Sequence, residues 1–352
     1  MELDPEVWRG KRVLVTGHSG FKGSWLVLML KELGADVFGL SLPLNHLPQP
    51  LYSGANIQSL LSTEYLLDIR SYNDVTNAVQ NSRVDYVFHL AAQAFVRRSV
   101  DNPLETITTN ITGTSNVLLA SLSLDTVQGI TIATTDKVYQ NFGNQKPFIE
   151  SDRLGGKDPY SASKAATELI VGSLSSSCNP NKIPITTVRA GNVIGGGDWG
   201  ADRLIPDLVR ALTSDETVNI RNPKSSRPWQ HVLDCLSGYL LVAQSHLSKK
   251  TSIPNSVNFG PNQSLTVMEV VSLFETAFNK KVKYTTLELR IPESTRLELD
   301  SKAARDYLGW QTSFDTTEAI TETAKWYAAS ASGVDQKELM KSEITKFRGN
   351  KW

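Results

Sequence analysis

An excess of charge of either sign is missing from this sequence: 36 Lys plus Arg stand against 36 Asp plus Glu in 352 residues. No net field exists to draw a nucleic acid or an anionic membrane, so any phosphate site must be built locally. Cysteine is nearly absent, with only Cys178 and Cys235 far apart in the chain. That excludes a disulfide framework and points to reduced thiols in a cytoplasmic setting. The five histidines, His18, His46, His89, His231 and His246, fall at no metal-ligand spacing, and no metal site is expected. Long apolar runs are also lacking. WLVLML at residues 25–30 is far short of the ~20 residues a membrane span needs. The opening MELDPEVWRGKR lacks the apolar core and cleavage site of a signal peptide. A soluble protein is expected, and 40% hydrophobic content is ample for a full core in one large or two medium domains.

The first half alternates two hydrophobic periods, which argues for parallel strands joined by crossover helices. Strand candidates are RVLVTG (12–17), DVFGLSL (36–42), EYLLDI (64–69), VDYVFHLAA (84–92), GITIATT (129–135) and ITTVRAGNVI (185–194). Several are near-continuous apolar runs, as strands covered on both faces should be. Helix candidates are residues 21–33, 71–81, 104–121 and 160–176, with 233–244 and 267–278 further on. The pattern is that of a Rossmann-type doubly wound parallel sheet, with a smaller mixed α/β substrate lobe on the C-terminal side. The expected division is 1–188 for the cofactor domain, which also receives 228–258. Residues 189–227 and 259–330 form the lobe, and 331–352 a polar, partly loose tail.

TGHSGFKG places Gly17, Gly20 and Gly23 after a strand and at a helix start, with His18, Ser19, Phe21 and Lys22 between them. Glycines there allow a tight turn and a close backbone approach to a pyrophosphate, over the positive end of the helix. The second strand ends in Ser41-Leu42-Pro43, without the acid that often holds the ribose of NAD or an arginine for the phosphate of NADP. The missing base near Ser41 favours NAD.

DPYSASK sets Tyr160 and Lys164 four residues apart near a helix start, on one face and about 6 Å apart along the axis. A phenol titrating near ~10 can act as a base at neutral pH only if neighbouring positive charge favours the phenolate. The preceding strand ends in TTDKVYQN, where a hydroxyl of Thr134 or Thr135 can face the same site and an acid and a base, Asp136 and Lys137, follow.

The glycine loop, the threonine and the Tyr-x-x-x-Lys together resemble the extended type of the short-chain dehydrogenase/reductase superfamily. That resemblance implies Tyr160 as acid/base for a substrate hydroxyl, Lys164 as its pKa-lowering neighbour and ribose ligand, and Thr135 as partner of the reacting oxygen. It also implies cofactor contacts from the glycine loop, from Asp68 and Ile69 at the adenine, from Leu90, Ala91, Ala92 and Gln93 beneath the cofactor, and from Asn110 and Thr134. Longer stretches are similar to the CDP-glucose 4,6-dehydratase family: TGHSGFKGSWL (16–26), TTDKVYQN (134–141), RAGNVIGGGDW (189–199) into DRLIPD (202–207), and IRNPKSSRPWQHVLD (220–234).

That family turns a nucleotide-activated glucose into its 4-keto-6-deoxy derivative with no net redox change. The related dTDP-glucose enzymes follow the threonine with Asp-Glu, the CDP-glucose group with Asp-Lys. By resemblance Asp136 is the acid for the departing C6 hydroxyl, provided enclosure raises its pKa. Lys137 is the base for the C5 proton, provided its own pKa falls from ~10.4. Arg227 and Arg221 would meet the diphosphate, with Gln93, Asn192 and Leu204 as further substrate contacts. Trp199 and Trp229 would stack on a base or close the lobe; His231 is read as structural and His89 as core. The expected partner is a nucleotide-diphosphate sugar, CDP-glucose favoured, bound by a homodimer or dimer of dimers joined through the Tyr160 helix and its neighbour. Pro292 and Ala94-Phe95 depart from the family pattern and leave the base and sugar open. Two other readings remain: a 4-epimerase or other enzyme on a different nucleotide sugar, which needs no Asp-Lys pair, and a non-catalytic NAD(P)-sensing protein, which has no need of Tyr160 and Lys164.

Overall fold

The computed structural model describes residues 2–44, 50–141, 143, 146–249, 252–287 and 297–351. Its first half runs α1 (Pro5–Trp8), β1 (Arg12–Thr16), α2 (Phe21–Glu32), β2 (Asp36–Ser41), α3 (Pro50–Gly54), β3 (Thr63–Leu66), α4 (Tyr72–Ser82), β4 (Tyr86–His89), α5 (Val96–Asp101), α6 (Pro103–Ile107), α7 (Thr114–Leu122), β5 (Gly129–Ala133), α8 (Pro159–Ser177) and β6 (Ile185–Ala190). The second runs β7 (Asn192–Ile194), α9 (Leu204–Ser214), β8 (Thr217–Arg221), β9 (Ser226–Arg227), β10 (Trp229–His231), α10 (Val232–Ser248), β11 (Ser256–Phe259), β12 (Leu265–Thr266), α11 (Val267–Phe278), β13 (Lys283–Leu287), α12 (Lys302–Leu308), α13 (Thr316–Ala331) and α14 (Gln336–Lys351).

Seven strands form one parallel sheet in the order β11-β6-β5-β4-β1-β2-β3. Strand β1 pairs with β2 on one side and β4 on the other, Val13 facing both Val37 and Tyr86. The order of strand addition reverses there, which opens a crevice at the carboxyl ends. The central strands are buried on both faces because their residues are apolar in succession. Val13 and Val15 join one core with α2 and α10, and Leu14 joins the other with α4 and α7. Above the crevice lie the short pairs β7 with β10, β9 with β12 and β8 with β13. Helix α11, started by a reciprocal capping box between Thr266 and Glu269, packs there on α13.

Three expectations change. The run 185–194 is two strands: the chain leaves the sheet at Gly191, where a Cβ would come within 3.1 Å of Asp136 Oδ2, and β7 pairs with β10 instead. The helix expected over 104–121 is interrupted by a wide turn at Thr108–Gly113. Gly113 sits against Ile69 there, a Cβ reaching its side chain at 2.6 Å. The tail is not loose. Met340, Ile344 and Phe347 on α14 are fully buried, and α14 touches α2, α3 and α13. Glu343 meets buried His231 at 3.0 Å, and Arg348 meets Glu32 of α2 at 3.0 Å. Polar composition hid the pattern, because three apolar residues at helical spacing suffice to seat a helix.

Candidate active site

The glycine loop follows β1 with Gly17 at φ +72°, where a Cβ would meet Ala91 N at 2.8 Å. A Cβ on Gly23 would lie 2.1 Å from Gly17 O, so only glycine lets α2 start this close to the turn. Gly20 caps α2 without a side-chain bond, and the first-turn amides point into the crevice at the positive helix end. This cradle fits the pyrophosphate of a dinucleotide.

The loop's side chains have other partners. His18 is fully buried and meets Glu64 at 2.7 Å beneath Gly39, and burial pulls its pKa down. Ser19 Oγ lies 2.9 Å from Ser41 Oγ, so two hydroxyls occupy the place of the absent acid. Phe21 reaches toward Gly195, and Lys22 Nζ donates to Tyr239 Oη at 3.4 Å above its ring.

Asp68 is engaged twice by Arg70, at 2.9 and 2.6 Å, and buried Ile69 offers its carbonyl to Asn116 at 2.9 Å. Leu90 follows β4, and Ala91 N donates to Thr16 Oγ1 at 3.2 Å. Ala92 is half-buried beside them. The buried side chain of Gln93 holds its own turn, donating to Phe95 O and Thr106 Oγ1 and accepting from Phe95 N. Asn110 accepts from Gln93 N at 2.8 Å and donates to Gln93 O and Ser163 Oγ, tying the strand end to α8. His89 is core, between Thr16 and Thr114 at 2.7 and 2.9 Å.

Helix α8 opens on Asp158, which caps Ser161 N, and on Pro159, so Tyr160 and Lys164 stand on its first turns. Lys164 is buried, donates Nζ to Ala133 O at 3.1 Å, and is pulled down to about 8 by burial and by Lys22. Thr135 caps a three-residue turn at Asp136–Val138. Its hydroxyl donates to Asp136 Oδ1 at 3.0 Å and stands close enough to Tyr160 to pull its phenol down. Lys137 Nζ stands 3.4 Å from Asp136 Oδ1, its side chain 35% exposed against 4% for Asp136. Thr134 turns away, donating to Glu168 at 2.6 Å.

Two electrostatic expectations are corrected. Burial pushes the Tyr160 phenol up; the leading offset comes from Lys137 and the Thr135 hydroxyl, with Arg203 also pulling down, rather than from Lys164. Lys137 is not lowered but raised, chiefly by the charge of Asp136 and against its own burial. Arg227, on β9, faces Lys137 closely enough to oppose that rise.

Asn192 opens β7 opposite Trp229, and Leu204 opens α9, half-buried. Arg221 ends β8, and its side chain lies outside the described set, as does Pro292. Trp199 packs edge-on against Tyr327 at 5.4 Å, and Trp229 donates to Leu265 O at 3.2 Å, so both close the lobe. His231 caps α10 through Leu233 N. Sequence reasoning missed Arg203, although it stands in the quoted DRLIPD. It binds Asp198 at 2.7 Å, lies over the Phe95 ring at 5.2 Å, and acts on Tyr160. Among the described residues no group of three or more His, Cys, Asp or Glu could hold a metal ion.

A glycine cradle at the switch point, with Thr135, Tyr160 and Lys164 converging beside it, defines an extended short-chain dehydrogenase/reductase. The family model described as GDP-mannose 4,6 dehydratase matches residues 14–323, and the chain belongs to that family of sugar-nucleotide hydro-lyases. A CDP-glucose 4,6-dehydratase of Salmonella typhimurium is 38% identical, over 98% of this chain and 98% of its own. A dTDP-glucose 4,6-dehydratase of Haemophilus influenzae is 28% identical, over 91% and 98%. Among solved structures, the UDP-glucose-4-epimerase of Stenotrophomonas maltophila with bound NAD and formylated UDP-arabinopyranose aligns at TM-score 0.80 and 23% identity, covering 92% of this chain and 99% of that one. No helix among the described residues is long and apolar enough to cross a membrane.

Proposed function

We propose that the chain dehydrates CDP-glucose to CDP-4-dehydro-6-deoxyglucose, with NAD as its cofactor. The observation that carries this reading is the enclosed acid beside a cation, Asp136 and Lys137, hydrogen-bonded with Thr135 and close enough to act on Tyr160. When bound, NAD supplies the acceptor for the C4 hydride and returns that hydride to C6, so no oxidant is consumed.

The residues divide the proton work. Tyr160 takes the proton of the C4 hydroxyl, and Thr135 holds that oxygen. The C4 ketone then acidifies the C5 hydrogen. Lys137 takes the C5 proton as Asp136 gives its own proton to the C6 oxygen, which leaves as water, and Lys137 returns a proton to C5 as C6 is reduced. Lys137 follows from its coupling to Asp136. What raises Lys137 is the Asp136 charge; when Asp136 is protonated, as an acid must be, that cause vanishes and burial and Arg227 pull Lys137 down. Arg227 and Arg221 serve the diphosphate, and Asn192 and Leu204 line the nucleotide sugar.

Exposed apolar side chains on neighbouring helices support a homodimer: Val100 on α5 at 61%, Leu104 on α6 at 71% and Leu169 on α8 at 65% exposure. Helices α5, α6 and α8 pack together, so these residues form a patch of the kind that marks an interface.

The test incubates the purified protein and NAD separately with CDP-, dTDP-, UDP- and GDP-glucose. CDP-glucose should lose the mass of one water. Asp136→Asn and Lys137→Ala should each cut that loss by ~100-fold or more while cofactor binding persists. An unchanged mass with an inverted C4 centre would instead identify a 4-epimerase, which uses Thr135, Tyr160 and Lys164 alone.

A further inference from the structure

Thr134 to Tyr139 is tied at both ends into one buried ion pair. Glu168 stands one turn beyond Lys164 on α8, and both its oxygens are filled. Oε1 accepts from Thr134 Oγ1 at 2.6 Å and Arg189 Nε at 2.9 Å; Oε2 accepts from Thr187 Oγ1 at 2.7 Å and Arg189 Nη2 at 2.9 Å. The remaining nitrogen of Arg189, Nη1, donates to Tyr139 Oη at 2.8 Å and to Glu150 O at 2.9 Å. Tyr139 donates in turn to Asn258 Oδ1 on β11 at 2.7 Å and stacks on Phe148 at 4.9 Å. The anchored residues stand two before Asp136 and two after Lys137.

A buried ion pair is a poor stabiliser beside an apolar core of the same volume, even when every lone pair is met. What a guanidinium fork supplies is direction. The turn at Asp136–Val138 has three residues, too short to hold itself in one geometry, yet an acid and a base must be held within ~0.5 Å of their working positions. The network reaches the turn from α8, β6 and β11, elements fixed by the sheet.

We propose that Glu168, Arg189 and Tyr139 form a positioning network that fixes the Asp136–Lys137 pair relative to Tyr160 and so governs elimination rather than the oxidation before it. This rests on the dehydratase reading. Oxidation uses Tyr160, which α8 holds through its own cap and through Ser99, whose Oγ accepts from Tyr160 N at 3.1 Å. Elimination uses Asp136 and Lys137, both inside the anchored segment, where buried Val138 also accepts from Gly155 N at 2.7 Å; of the oxidation set only Thr135 lies within it.

Tyr139→Phe tests it, because the ring stack on Phe148 is kept and one hydroxyl is lost. With NAD and CDP-glucose, this variant should turn over ~10-fold more slowly with KM within ~2-fold of wild type. Reduced nicotinamide, read by its absorbance, should accumulate ~5-fold or more above the wild-type level because oxidation outruns water loss. Glu343→Gln, which breaks the buried contact with His231 away from the site, should lower the melting temperature without such accumulation. If Tyr139→Phe does not fold, Thr134→Val, which frees the other anchor, is read the same way. A folded variant that works like wild type, or that slows both half-reactions in proportion, overturns the positioning role alone. A wild-type protein that leaves every sugar nucleotide intact overturns the dehydratase reading instead.

Discussion

Lys137 acts on two groups at once, holding a proton against Asp136 and drawing the Tyr160 phenol down. Lys137→Ala removes that pull, so the phenol climbs further and the phenolate needed for C4 oxidation forms only at higher pH. The pH profile of single-turnover nicotinamide reduction should move upward; an unmoved profile would show that Lys137 does not govern Tyr160. Lys164 sets the opposite limb. Its pKa is pulled to about 8 by burial and Lys22 and held up in part by Glu168. The ammonium is lost as pH rises through that value, so activity resting on it declines above about pH 8, and at lower pH in Glu168→Gln. Tyr160, Lys164 and Thr135 were legible in the sequence because their spacing or their strand-end position is local. Arg189 and Glu168 were not, since they meet across 21 residues, nor was the reach of Arg203 to Tyr160, and the sign of the Lys137 shift depends on a balance between the Asp136 charge and burial that sequence alone does not weigh.

Among the elements, the cofactor turn is the least tolerant. Gly23→Ala forces a methyl against Gly17 O and should abolish NAD binding in titration while the rest of the fold survives. Helix α11 rests on its capping box, and Thr266→Ala should cost about 1 kcal/mol in denaturant unfolding. The long strands and α2, α8, α10 and α11 were readable because apolar period and end signals agree. The break at Gly191 and the wide turn at Thr108–Gly113 were not: the first answers to Asp136 and the second to Ile69, and both contacts are tertiary.

At the scale of the whole molecule, the parallel sheet followed from strand and helix alternation and the smaller lobe from the change of texture after it, whereas the seating of α14 did not. If the apolar patch on α5, α6 and α8 joins two copies, Leu104→Glu with Leu169→Glu should halve the mass measured by light scattering and leave the circular dichroism unchanged. Phe347→Ala, on the α14 face against the core, should cost about 3–5 kcal/mol, seen as a shifted denaturation midpoint. Helix α14 is synthesised after every element it covers. At ~5–20 residues per second, α2 waits on the order of 15–60 s for its cover. Through that interval a nascent chain carries an open apolar seam, and a chain cut short before Met340 keeps it.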